Sequence, residues 1–159
     1  VAEVEAAWAE RRRLFAPAGS ADPAGRLRRT ALDVMGVFAD FDPAVGGGLA
    51  AGIADAHSGI GLRLYADAPE HVVFRLLDRR IDWQEAERRL TFGGGRREVR
   101  PVFRLRAGDV EVDLVVLRPA DRSDPPRDPA TGRPQSALGP AELRALVGAA
   151  DQPRSVMGR

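Results

Sequence analysis

The sequence predicts a mixed α/β (α+β) fold, and three observations carry that expectation. Two stretches have apolar residues at helical spacing, Leu27-Ala31-Val34-Phe38 and Val73-Leu76-Leu77. Two later stretches, Val99 to Arg106 and Val110 to Leu117, read as strands around the turn Ala107-Gly108-Asp109. The order helix, helix, strand, strand, helix, strands then calls for a mixed sheet with its helices packed on one side.

The elements follow in order. Val4, Trp8 and Phe15 mark a first helix over Glu3 to Phe15, with Arg11, Arg12 and Arg13 suited to its last turn. Pro17, Gly19 and Ser20 break it. Asp22 and Pro23 form an N-cap and first-turn pair for a second helix ending near Asp40, with Arg26, Arg28 and Arg29 expected on its solvated side. The glycine-rich stretch Gly46 to Gly52 leads to a strand from Ile60 to Ala66. Asp67 and Glu70 have capping-box spacing ahead of the third helix. Ala86 to Phe92 fits either a strand or a helix end, and Gly93-Gly94-Gly95 reads as a hairpin tip. Pro119 to Pro140 is rich in Pro, Asp, Arg and Gly and reads as an irregular arm, followed by a short helix over Pro140 to Val147. The expected organisation is therefore a domain over 1–118 with an arm over 119–159 packed on it.

Composition narrows the function classes. The chain has 159 residues, about one domain at roughly 100–200 residues each. Hydrophobic residues make up 44% and charged residues 30%, which is globular composition and excludes wholesale disorder. No apolar run approaches the roughly 18 residues of a membrane helix, and no export signal is read at the start, so a cytoplasmic location without membrane partners is expected. The absence of cysteine excludes disulfides, thiolate metal sites and cysteine nucleophiles. All 24 basic residues are arginine, against 23 acidic ones, so there is no global basic excess of the kind that signals nucleic acid. Without lysine there is neither a Walker A phosphate loop nor a Schiff-base enzyme.

One constellation is informative. Gly47-Gly48-Leu49-Ala50-Ala51-Gly52, five residues, then Ser58-Gly59-Ile60-Gly61-Leu62 resembles the signature of the DNA polymerase beta superfamily of nucleotidyltransferases in its minimal-domain form. That signature runs Gly-Ser, a small residue, Gly, then Ser-Asp-hydrophobic-Asp at the head of a strand. Gly47, Ala50, Gly52, Ser58, Ile60 and Leu62 match without a gap, and Val112-Asp113-Leu114 supplies the later hydrophobic-Asp-hydrophobic strand. The resemblance covers roughly Ala24 to Leu117. It implies a nucleotidyltransferase-like sheet and a site in which three carboxylates hold divalent metals that clamp a triphosphate. The sequence departs from the signature where that chemistry resides. Gly59 and Gly61 stand at the two aspartate positions and Gly48 at the serine, so Asp113 alone keeps a metal-carboxylate position.

Other motifs are weaker. Gly46 to Gly48 lack the G-x-G-x-x-G spacing of a dinucleotide site. Asp55 and His57 read as an exposed polar turn or as substitute ligands at a pocket mouth, and His71 as a surface residue. Two histidines without ligand spacing argue against zinc, and no G-x-S-x-G elbow supports a serine nucleophile. Arg63, Tyr65 and Asp67 share one strand face, as do Glu111, Asp113 and Val115. A carboxylate that has lost its metal needs a cation or a proton, and Arg63 is expected to contact Asp113, directly or through one water. Arg100, Arg104 and Arg106 read as a solvated sheet face or an anion-binding patch.

These readings lead to a degenerate nucleotidyltransferase-like protein that binds an anionic ligand or a protein partner. Asp113 is its remaining catalytic-type carboxylate, and Gly47, Gly48, Ser58, Gly59, Gly61 and Arg63 form the candidate ligand set. No cofactor is expected. Mg²⁺ enters, through Asp113, only under the alternative of an active enzyme with a rearranged site around Asp113, Asp67, Asp55 and His57. A structural or interaction module is the third reading. Nucleotide or another phosphate is the expected ligand class, with no specific nucleic-acid signal.

Overall fold

A computed structural model describes residues 23–46 and 59–151. The first expected helix and the glycine-rich segment through Ser58 lie outside the described residues. The order is helix α1 (Pro23–Val37), strands β1 (Ala44–Gly46) and β2 (Ile60–Tyr65), helix α2 (Pro69–Asp78), strands β3 (Gln84–Thr91), β4 (Arg97–Ala107), β5 (Val110–Leu117) and β6 (Ala137–Leu138), and helix α3 (Pro140–Asp151). The strands form one six-stranded mixed sheet in the order β3-β4-β5-β2-β1-β6. Only β2 and β5 run parallel, and the other neighbours are antiparallel.

All three described helices pack on one side of this sheet, as expected. The alternation of β2 sends Ile60, Leu62 and Leu64 to that side, where they meet Val112, Leu114 and Val116 of β5 and Phe103 and Leu105 of β4. α1 buries Leu27, Ala31, Val34 and Phe38, the stripe its spacing predicts. Arg29, expected on its solvated side, is instead buried. α2 begins on Ala68 as N-cap with Pro69 in its first turn, and no side chain caps it. The Asp67–Glu70 capping box therefore does not form: proline, with its fixed φ and missing N–H, sets the helix start. That start places Val72 and Leu76 inward, while Leu77, expected inside, is exposed. In α3, Leu143 reaches the core, and the Glu142 carboxylate accepts from the Gly139 N–H ahead of the first turn.

Opposite the helices, the second face carries a smaller cluster of Val102, Val115 and Leu117, flanked by Tyr65, Ala86 and Leu90. Residues 119–136 cross this face. Asp121 is buried against Arg100, and the Arg122 guanidinium stacks over Tyr65 at 4.6 Å. Arg127 bridges to Thr91 and to Pro134, and the chain then pairs with β1 through β6. The segment Ala86 to Phe92, open between helix and strand, is the outer strand β3, and Gly93–Gly95 is the tip of the β3–β4 hairpin.

Candidate functional site

The parallel register of β2 and β5 sets Gly61 beside Asp113, and the antiparallel register of β4 and β5 sets Arg104 on the other side of Asp113. All three point to the face opposite the helices. Asp113 is consequently ringed by guanidinium groups. Arg104 donates from Nε to Oδ1 at 2.8 Å and from Nη2 to Oδ2 at 3.3 Å. Arg88 of β3 donates to the same Oδ2 at 2.7 Å. The Glu111 carboxylate adds a longer ion pair to Arg104 at 3.8 Å. Partial burial pushes the Asp113 carboxyl upward, but the hydrogen bonds and charges of Arg104 and Arg88 outweigh it and hold the group below its ordinary value. The same contacts raise Arg104.

A direct Arg63–Asp113 contact is not formed. Arg63 lies on the same face, two residues beyond Gly61, but it reaches toward the returning arm and donates from Nη2 to the main-chain oxygen and Oε1 of Gln135, at 3.3 and 3.4 Å. The carboxylate did find a cation, but through cross-strand register rather than from the neighbouring parallel strand. Arg63 is only 9% exposed and has no carboxylate partner among the described residues.

The two glycines at the signature's aspartate positions differ in kind. A Cβ at Gly61 would meet nothing within 4 Å, so the space beside Asp113 is open. A Cβ at Gly59 would lie 3.1 Å from the Glu111 main-chain oxygen, closer than ordinary contact. Glycine is thus favoured at 59 by close backbone approach and not required sterically at 61. Gly47, Gly48, Ser58, Asp55 and His57 lie outside the described residues. Asp67 and His71 are exposed near the start of α2.

Arg100, read as part of a solvated or anion-binding face, belongs to neither. Its Nε and Nη2 donate to the two oxygens of Asp121 at 3.1 and 3.2 Å, its Nη1 pairs with Glu98 at 2.7 Å, and it stacks over Phe92 at 4.9 Å. Asp121 also accepts from the Arg118 N–H at 2.9 Å. Burial pushes Asp121 upward, yet these donors prevail and hold it below the usual carboxylate range. Sequence reasoning missed this pair because Asp121 sits in the arm. It missed Arg104 as the partner of Asp113 although the tight turn at Gly108 fixes which residues of β4 and β5 stand opposite each other.

A magnesium ion of the kind the signature implies does not fit these residues. Such ions lean on more than one carboxylate plus phosphate oxygens. Here Gly61 offers no donor, and both oxygens of Asp113 are engaged by guanidinium groups. No group of three or more His, Asp or Glu placed to hold a metal occurs among the described residues.

No protein-family model matches the chain. No curated protein matches it either. Among solved structures, it is similar to a chain described under the structural basis for the activity of a cytoplasmic RNA terminal U-transferase, with a TM-score of 0.42 and 17% identity. The match covers 73% of this chain and 35% of the other, so this chain spans about a third of that protein's length. No helix among the described residues is long and apolar enough to cross a membrane.

Proposed function

We propose that this is a nucleotidyltransferase-fold protein that binds a phosphate-bearing anion at its former metal site and does not transfer nucleotides. One observation carries the reading. On a single sheet face, the carboxylate of Asp113 is neutralised by Arg104 and Arg88, while the buried Arg63 guanidinium has no carboxylate partner among the described residues. A buried cation whose bonds among the described residues go only to neutral oxygens is poorly compensated by them, and an incoming anion would supply the opposite charge. The planar fork of arginine suits phosphate oxygens, and the open space at Gly61 admits a ligand between Arg63 and the Asp113 cluster. The gapless glycine spacing ahead of β2 and the parallel β2–β5 pair support the family resemblance in the same reading.

Isothermal titration with ATP, with and without Mg²⁺, tests it. Binding of equal strength in both conditions, abolished in Arg63→Gln, is the expected result. Binding or pyrophosphate release that requires Mg²⁺ would overturn it in favour of an active enzyme. No binding of ATP or inorganic phosphate would favour an interaction module.

A further inference from the structure

Among the described residues, the helix layer stops short of the outer hairpin. On the helix side of β3 and β4, a groove of about 500 Å³ runs between the hairpin and α2, lined by Phe74 of α2 and by Pro101 and Phe103 of β4. Phe74 is 63% exposed although it faces this groove, and Val99, on the same strand face as Pro101 and Phe103, is 48% exposed. Single exposed apolar side chains are ordinary, but apolar residues lining one groove mark an interaction surface.

Charge identifies what the groove accepts. Arginines engage Asp40, Asp42, Glu98, Asp113, Asp121 and Asp124 elsewhere in the molecule. Glu70, Glu85 and Glu87, which border the groove, make neither an ion pair nor a side-chain hydrogen bond among the described residues. They stand on both banks, Glu70 on α2 and the other two on β3. An occupant with apolar residues along its centre and cations on its flanks would satisfy floor and banks together. A helix is the form that fits, because the groove continues the helix layer beside α2 and helices pack side by side at about 8–10 Å.

We propose that this groove docks an amphipathic helix of a partner protein with arginine or lysine on both flanks. The proposal stands on a different face from the anion site and does not depend on it.

The test uses the full chain and two synthetic helical peptides of about 18 residues, long enough to nucleate a helix on the surface. One carries a leucine stripe flanked by arginine, and its twin carries glutamate in place of arginine. Fluorescence anisotropy should show binding of the arginine peptide, weakened about tenfold by Phe74→Ser and about tenfold by Glu85→Lys/Glu87→Lys. The lysine double variant should prefer the glutamate twin. Hydrogen exchange should show peptide-induced protection in 69–77 and 84–103. Equal affinity for both peptides on all variants, or protection elsewhere, would overturn the proposal. Self-association of the chain alone that disappears in Phe74→Ser would overturn it too, by making a second copy the occupant.

Discussion

Replacing Asp121 by alanine should be among the most damaging single changes to this protein's stability. The Asp121 and Arg100 side chains are 3% and 6% exposed, and Asp121 accepts both guanidinium bonds as well as the Arg118 N–H. Truncation strands the Arg100 charge under the arm, and removing one partner of a buried pair costs about 3–5 kcal/mol. Glu98 remains on Nη1, which places the expected loss at about 3 kcal/mol. Urea denaturation at pH 7 measures it directly. The pH dependence gives an independent check. Asp121 titrates below its unfolded value, so its contribution is complete above the unfolded pKa of about 3.9 and is lost as pH falls through the lower folded pKa. The gap between wild type and Asp121→Ala should therefore be constant near neutrality and close in acid. A loss below about 1 kcal/mol at pH 7 would show that solvent screens the pair like a surface one, and would refute the reasoning. The double variant Arg100→Met/Asp121→Leu should recover most of the loss, since no charge is left stranded.

The remaining stability predictions follow from packing and backbone geometry. Gly61→Ala should stabilise by about 0.4–1 kcal/mol by restricting the unfolded chain, because nothing obstructs its Cβ. Gly59→Ala should be less stable than Gly61→Ala, because the Glu111 main chain must give way; thermal melts of the two variants side by side decide the order. Leu76→Ala should destabilise by about 2–5 kcal/mol, and Leu77→Ala by far less, since α2 turns the first inward and leaves the second 58% exposed. Chemical denaturation of both variants tests that phase.

Much of the fold was legible because strong local signals agreed with one another. β5 spans the residues its pattern marks out, bounded by the Gly108 turn and by Pro119. The α1 stripe held because four apolar residues fix its phase. In α2 the pattern marks Leu76, which is buried, and Val73, which packs against the core, but it misses Val72 and wrongly includes Leu77, because a start at Pro69 rather than Asp67 centres the inward face on Val72 and Leu76. β1 and β6 contain three and two residues, too few for any period, and exist only through pairing. At the site, alternation assigns Arg63, Asp113 and Arg104 each to a face of its own strand, and only the strand register brings the three to one side of the sheet. Which cation reached Asp113 was a question of cross-strand distance, and there the hairpin neighbour prevailed over the nearest arginine on the parallel strand. Arg100 is neither the solvated nor the anion-binding residue its strand pattern suggests, because its cover comes from residues 119–122, remote in sequence and without periodicity.

The same arrangement makes a sharp prediction about restoring the missing carboxylate. Gly61→Asp should fit, since its Cβ meets open space beside Asp113. It should nonetheless fail to create a magnesium site alone, because a metal must displace the Arg104 and Arg88 bonds from Asp113, and the new carboxylate offers those guanidinium groups a second partner. Two carboxylates between two arginines form a neutral cluster, whereas Mg²⁺ needs anionic oxygens free of competing cations. Removing the two guanidinium groups bonded to Asp113 in Gly61→Asp/Arg88→Ala/Arg104→Ala, with Arg63 held by Gln135, leaves adjacent carboxylates that repel each other, which raises their proton affinity and favours a divalent ion between them. Titration calorimetry with Mg²⁺ should therefore give no heat for wild type or Gly61→Asp and a saturable signal for the triple variant, accompanied by a rise in its melting temperature with added metal. Binding of equal strength in Gly61→Asp alone would mean that the arginines do not hold Asp113 against a metal. The neutralised carboxylate would then no longer support reading this face as a site converted from cations to anions.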